Sequence, residues 1–284
     1  MGQRKCQDLF QGWVARILLA EGAVNKEPRQ MGFDTSEGVG LRALLDKVGY
    51  EPDFRWAWDH YEPVVKALSQ RLGLKRLCEI GGGRNPLLSP CEVAALGASY
   101  TVNDISAGEL ALVPDGFETA CFDVAGDPAA LPAAQSFDLV FSRMVLEHVR
   151  DVARAWSNLY HVLAPGGVAL AFIPTLHALP FVANRLIPEW LSGAIVDRLY
   201  PHRDRNGRAP KFKAYYDCCV SREAAVKPIL HRIGFAEAAV IPFWGHDYYH
   251  SFPVLRDVTA KVSAWAQRHD VRFLTSYAYV LARK

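Results

Sequence analysis

The chain has 284 residues, half of them hydrophobic, and a formal net charge of +2. That length fits one large domain, with or without a cap, and that composition supplies a sizeable core. A charge so close to neutral gives no electrostatic case for a nucleic-acid partner.

Residues 1–74 read as a helical extension. Cys6–Glu21 and Val39–Val48 have the look of short amphipathic helices, and Asp53–Leu72 of a third. In the last, Trp56, Trp58, Tyr61, Val64, Val65 and Leu68 recur at helical spacing, which predicts a core face. Pro63 falls within it and predicts a kink or a break there. The apolar stretch Trp13–Ala20 is too short to cross a membrane and meets Glu21, so a soluble, cytoplasmic protein is expected.

Arg76-Leu-Cys-Glu-Ile-Gly-Gly-Gly-Arg-Asn-Pro-Leu87 is the most informative segment. An apolar strand ends in an acid, Glu79, and turns at once through Gly81, Gly82 and Gly83. Asn85 as N-cap and Pro86 as first helical residue predict a helix opening there. A strand, a tight glycine turn and a helix start make the ligand-cradling corner of a doubly wound α/β sheet. The dinucleotide fingerprint G-x-G-x-x-G fits badly, because Pro86 takes the place of its third glycine. An acid before the turn also suits a cationic group better than a pyrophosphate.

The following elements repeat the theme. Ser99–Asp104 is a second strand ending in an acid, about twenty residues past the glycine turn, where such folds place a ribose-binding carboxylate. Ala120–Asp123 is a third strand ending in an acid, followed by Val124. Ser136–Arg143 is a fourth, running into Met144-Val-Leu-Glu-His148-Val. A helix is expected over 151–163, broken at Ala164-Pro-Gly-Gly167, before a fifth strand over 168–173. Residues 176–219 form a long insertion. A helix with Ser221 as N-cap follows to Ile233, then a sixth strand over 235–243, a second insertion over 244–270 carrying a helix from Pro253, and a last strand over 271–282. The cysteines Cys6, Cys78, Cys91, Cys121, Cys218 and Cys219 form no C-x-x-C pair and have no histidines at zinc spacing, so no metal is expected. Cys78 and Cys121 are placed in buried strands, and free thiols suit a reducing compartment.

The ordered series E-I-G-G-G, strand–D, strand–D, S-F-D-x-V, L-E-H-V and L-x-P-G-G resembles class I S-adenosylmethionine-dependent methyltransferases, of the small-molecule type that includes the ubiquinone and menaquinone enzymes. The resemblance covers residues 75–175 closely and the remainder weakly. It implies a Rossmann-like, doubly wound, seven-stranded α/β sheet, mostly parallel with an antiparallel last strand. A helical extension (1–74) would precede a methyltransferase domain (75–284) capped by the insertions 176–219 and 244–270. It implies S-adenosyl-L-methionine as cofactor, S-adenosyl-L-homocysteine as product and a small-molecule acceptor, with no nucleic-acid or membrane partner. Carried over residue by residue, Glu79 serves the ammonium, Gly81, Gly82 and Gly83 line the methionine and ribose, and Asp104 with Ile105 takes the ribose end. Asp123 and Val124 take the adenine, and Ser142 and Arg143 lie beside the methionine. Asn85 stands where the family has a further glycine, and either caps the helix or reaches the cofactor carboxylate. Tyr61 is a core residue or a contact to the methionine end. His148 is the candidate general base, with packing at a helix start as the other reading. Tyr215, Tyr216, Trp244, His246, Tyr248 and Tyr249 are the candidates for the acceptor pocket, with packing of a surface loop as the other reading. Asp138, at the far end of strand four, is read as structural. Transfer of another arm of the cofactor, its cyclisation, or binding without catalysis all remain compatible with these motifs. An NAD-dependent enzyme is disfavoured by Glu79 and the absent third glycine.

Overall fold

A computed structural model describes residues 40–175, 213–249 and 253–284. The helix expected over Cys6–Glu21 and most of the first insertion lie outside the described residues.

Seven strands form one sheet: β1 (Arg76–Ile80), β2 (Ser99–Asp104), β3 (Glu118–Cys121), β4 (Phe137–Arg143), β5 (Leu163–Pro174), β6 (Glu237–Phe243) and β7 (Tyr277–Arg283), in spatial order β3-β2-β1-β4-β5-β7-β6. Strands β1 to β5 pair in parallel, and β7 runs antiparallel between β5 and β6. The order reverses between β1 and β4, which makes the carboxyl ends of those strands the switch point of the sheet.

Alternation along each strand divides the core into two layers. Leu77, Leu139, Phe141, Leu170, Phe172, Tyr277 and Tyr279 face one side, with α1 (Leu41–Asp46), α2 (Phe54–Asp59), α3 (Tyr61–Leu72) and α4 (Pro90–Leu96) packed there. A short α5 (Ala107–Leu110) follows β2, and Cys78, Val140, Ala169, Ala171, Ala278 and Val280 face the other side, beneath α6 (Val152–Val162) and α7 (Glu223–Ile233). The described helices before β1 therefore share one hydrophobic core with the sheet.

Several boundaries differ from the sequence expectation. The helix expected over 53–72 is two helices meeting at His60, three residues before Pro63. Pro63 then sits in the first turn of α3, where its missing N–H costs nothing, so the break moves upstream of it. The helix after the glycine turn opens at Pro90, not at Asn85 and Pro86. Ser89 caps it, accepting the N–H of Glu92 while Glu92 Oε2 accepts the N–H of Ser89. β3 spans 118–121, leaving Asp123 in the turn beyond it. Cys121 is exposed rather than buried, because β3 is the edge strand. β5 begins at Leu163, which pairs with Phe137 before the register shifts, so Ala164–Gly167 is carried inside the strand. The N-cap of α7 is Arg222, and Ser221 instead donates its hydroxyl to the carbonyl of Arg272 at 2.7 Å. A last helix, α8, spans Pro253–Arg268.

Candidate active site

The glycine turn stands at the switch point, on the carboxyl ends of β1 and β2. Gly81 has φ +70° and Gly83 φ +49°, a region open mainly to glycine. Space is as restrictive as torsion. A Cβ on Gly81 would meet Val145 Cγ2 at 2.6 Å; one on Gly82 would meet Glu79 Oε2 at 2.8 Å and Val102 Cγ1 at 2.9 Å. The N–H of Gly82 donates to the carbonyl of Asn103 at 2.9 Å, which pins the turn to β2. Asn85 lies in the continuation of the turn, its N–H donating to the carbonyl of Gly82 at 3.2 Å.

Glu79 lies beneath this turn, 3% exposed. Its Oε2 accepts the N–H of Leu87 at 2.9 Å and the hydroxyl of Tyr100. Burial raises its pKa, while the bonds from Tyr100 and Leu87 and the nearby Arg143 charge work against that rise. The carboxylate thus organises the turn from below, an arrangement that needs Tyr100, which the motif reading overlooked.

Asp104 ends β2, partly exposed. Its Oδ1 accepts the N–H of Ser106 at 2.8 Å, and its Oδ2 lies 3.1 Å from the position of a Cβ on Gly83. Ile105, next in the chain, is 66% exposed, unusual for so apolar a side chain. Arg84 of the turn and Glu109 beyond β2 make a two-point ion pair at 2.7 and 2.6 Å, closing the outer side. Asn103 was also missed. Its amide donates to the carbonyls of Ala120 and Phe122 at 2.9 and 3.0 Å, fixing the chain just before Asp123. An Asn at a buried phase of an apolar strand is the signal that would have found it. Asp123 is exposed and accepts the N–H of Ala125 at 2.8 Å, so turn chemistry occupies one of its oxygens. Val124 is buried.

At the end of β4, Ser142 is buried and its carbonyl accepts the hydroxyl of Tyr61 at 2.6 Å. Tyr61 is 0% exposed, packed against Phe141, Phe172 and Tyr279. Its place is the core, and it offers no surface to a cofactor. Asp138 lies at the opposite end of β4, where Oδ1 accepts from Arg76 Nη2 at 2.6 Å and Oδ2 from two backbone N–H groups. Burial pushes this carboxyl up, but Arg76 and the two N–H groups hold it below its usual range.

His148 sits in a short helical turn after β4, about a third exposed. Its Nδ1 is 3.0 Å from the carbonyl of Lys213. A carbonyl only accepts, so Nδ1 carries the proton in the neutral ring and Nε2 has the lone pair. Nε2 is 3.7 Å from Glu147 Oε1. Glu147 is the more unusual group. It is 4% exposed, its Oε2 accepts no hydrogen bond among the described residues, and burial raises its pKa to about 7. The sequence reading passed over this acid for the adjacent histidine.

The acceptor candidates divide. Trp244 is 3% exposed and donates its Nε1–H to the carbonyl of Val271 at 3.1 Å. Its backbone also pairs with residues 52–54, so it anchors the loop after β6. The rings of Tyr248 and Tyr249 gather around His246, with centroids at 5.8 and 5.2 Å. Burial pulls the pKa of His246 down, favouring the neutral ring. Tyr248 Oη lies 3.4 Å from the hydroxyl of Tyr277. The N–H groups of Tyr215 and Tyr216 both donate to the carbonyl of Glu147, at 2.7 and 3.1 Å. Tyr215 accepts from Arg150 Nε at 2.9 Å, and burial followed by the Glu147 and Tyr248 charges keeps Tyr216 protonated.

The described residues carry no group of three or more His, Cys, Asp or Glu able to hold a metal ion, and no helix long and apolar enough to cross a membrane.

The family model of the methyltransferase domain matches residues 55–236, well over half of the chain. A curated relative, the biotin biosynthesis bifunctional protein BioHC of Cellvibrio japonicus, is 34% identical over 114 residues, which is 40% of this chain and 22% of that protein. The chain thus aligns with about a fifth of that relative's length. Among solved structures, a SAM-dependent methyltransferase from Archaeoglobus fulgidus is 17% identical, with 82% of this chain and all of that one covered and a TM-score of 0.46. A Haemonchus contortus phosphoethanolamine N-methyltransferase 2 in complex with S-adenosyl-L-methionine is 16% identical, covering 91% and 62% of the two chains at a TM-score of 0.47. With the domain matched across the glycine turn, the strand-end acids and the segment after β4, on a sheet with one antiparallel strand inserted next to its edge, the chain belongs to the class I S-adenosylmethionine-dependent methyltransferases.

Proposed function

We propose that the protein transfers a methyl group directly from the cofactor to a small-molecule acceptor, in a site on the carboxyl ends of β1, β2, β4 and β5. The observation that carries this reading is the cradle itself. Gly81 and Gly82 leave no room for a side chain, Gly83 takes a positive φ, and Asp104 Oδ2 faces Gly83 across the turn. A carboxylate with one oxygen free of backbone bonds suits a vicinal diol, and the exposed Ile105 suits the flat face of a base. Asp123 and the Val124 N–H, on a segment that Asn103 holds through the Phe122 carbonyl, are assigned to the adenine edge. Glu79 adds negative potential from beneath Gly82, on the side of the cofactor ammonium.

S-adenosylmethionine, when bound, supplies a methyl group made electrophilic by the sulfonium. The protein has to hold the nucleophile in line and keep water out. His148 Nε2 is placed to accept a proton from an acceptor that carries one at neutral pH, with the Lys213 carbonyl fixing its tautomer. His246, Tyr248, Tyr249, Tyr215 and Tyr216 supply the aromatic surroundings of the acceptor. The likeness to a biotin-biosynthesis protein supports an acceptor drawn from small-molecule biosynthesis. Mass spectrometry of the nucleoside product, after incubation with S-adenosylmethionine and a metabolite extract, tests the reading. S-adenosylhomocysteine is expected; methylthioadenosine as the product would overturn it.

A further inference from the structure

An open cleft of about 510 Å³ lies between α2 and the loop after β6, lined by Phe54, Arg55, Trp58, Asp59, Asp247, Tyr248 and Tyr277. Its place in the sheet is definite. Tyr277 opens β7 and pairs with Pro174, the last residue of β5, so the cleft adjoins the carboxyl end of β5. Strands are spaced about 4.8 Å apart, which puts it one to two strands from the end of β4.

The walls are aromatic. Trp58 is 38% exposed and Tyr248 43%. Trp58 is fixed by edge contacts to Phe172 and Tyr277, with centroids at 4.9 and 5.8 Å. Exposed aromatic rings held rigid by a core beneath them cost little order when a ligand arrives. The charges have one sign left over. Arg55 is committed, its guanidinium 3.1 Å from Asp247 Oδ1 and 5.1 Å above the Phe54 ring. Asp59 has no ion pair and no side-chain hydrogen bond among the described residues. Among the described residues the cleft therefore offers a carboxylate without a counter-charge beside aromatic faces, and both attract cations and repel anions.

We infer that this cleft recognises the acceptor through a cationic amine, with Asp59 as the counter-charge and Trp58 as the stacking face. The inference rests on the reading of the chain as a small-molecule methyltransferase and names the acceptor class for that site. An anionic acceptor is disfavoured, because among the described residues lining the cleft the one cation, Arg55, is paired with Asp247. A purely apolar acceptor is disfavoured by Asp59, which such a ligand would desolvate without return.

The test uses the full chain with saturating S-adenosylhomocysteine and three soluble probes of matched shape: 2-phenylethylamine, 2-phenylethanol and 3-phenylpropionate. Their affinities are read by ligand-observed NMR titration for the parent protein, Asp59→Asn and Trp58→Leu. The amine is expected to bind at least about fivefold tighter than the alcohol, and the propionate most weakly. Asp59→Asn should bring amine and alcohol together with melting temperature unchanged, Trp58→Leu should weaken the amine while lowering the melting temperature through its lost contacts to Phe172 and Tyr277, and S-adenosylhomocysteine affinity should be unchanged in both. Equal affinity for amine and alcohol, preference for the propionate, or an amine preference that survives in Asp59→Asn would overturn the inference. Failure of the parent protein to bind S-adenosylhomocysteine would instead strike the underlying methyltransferase reading.

Discussion

Glu147 shows what a single buried group does to the behaviour of the whole. Its carboxyl is almost wholly buried, Oε2 has no partner among the described residues, and its pKa lies near 7 against an ordinary 4.5. Between those values the folded chain binds a proton that the unfolded chain has released. Stability contributed by the protonated form is complete below about pH 4.5 and is lost as pH rises through 7. Glu147→Gln lacks this titration. From pH 5 to pH 8 the parent should therefore lose up to about 3 kcal/mol relative to the variant, as measured by urea unfolding at both pH values. Parallel pH profiles for the two proteins would show that Glu147 is not the titrating group. The same scale explains why the sequence reading reached some site residues and missed others. Glu79 and Asp104 announce themselves by ending apolar runs, and the glycines by their adjacency. Tyr100, Asn103 and Glu147 carry no such mark. Their roles depend on burial and on partners 17 to 68 residues away, such as the Ala120 carbonyl for Asn103 and the Tyr215 N–H for Glu147.

At the scale of elements, local signals were legible where they were read at the right place. Ser89-Pro-Cys-Glu92 carries a complete helix start, with an N-cap Ser, Pro at the first position and Glu at the third. Asn85 and Pro86 mimic it four residues earlier, but the chain there continues the turn under which Glu79 is anchored. Ser89→Ala should remove the bond from the Glu92 N–H to Ser89 Oγ, while the Ser89 N–H keeps Glu92 Oε2, and cost about 1 kcal/mol of stability. Thermal unfolding of that variant beside Asn85→Ala checks the assignment, and a larger loss from Asn85→Ala would return the helix start to residue 85. Trp244 teaches the opposite lesson. An aromatic in a loop rich in Tyr and His reads as part of a ligand wall, yet its indole is turned inward against Ala266 and Val271. Which face a loop aromatic shows depends on what packs beneath it, here α8 and the backbone of residues 52–54, and no local pattern encodes that.

At the scale of the molecule, the seven-stranded, mostly parallel sheet with its antiparallel last strand was legible, because strand-length apolar runs and the helices between them are properties of the fold as a whole. The acceptor was not, because the cleft proposed for it is assembled from segments far apart in the chain: residues 54, 55, 58 and 59, residues 247 and 248, and residue 277. The central claim is that the carboxyl ends of β1 and β2 hold the cofactor while the opposite end of the sheet only holds the fold. Two aspartates at the two ends, Asp104 and Asp138, separate these roles. Calorimetric titration of S-adenosylhomocysteine into the parent, Asp104→Ala and Asp138→Ala proteins is the most direct measurement. The loss of even one charge-assisted bond, worth ~1.5–3 kcal/mol, should weaken binding at least about tenfold in Asp104→Ala. Asp138→Ala should bind as the parent does and melt at a lower temperature. Equal affinities in the two variants would contradict the account.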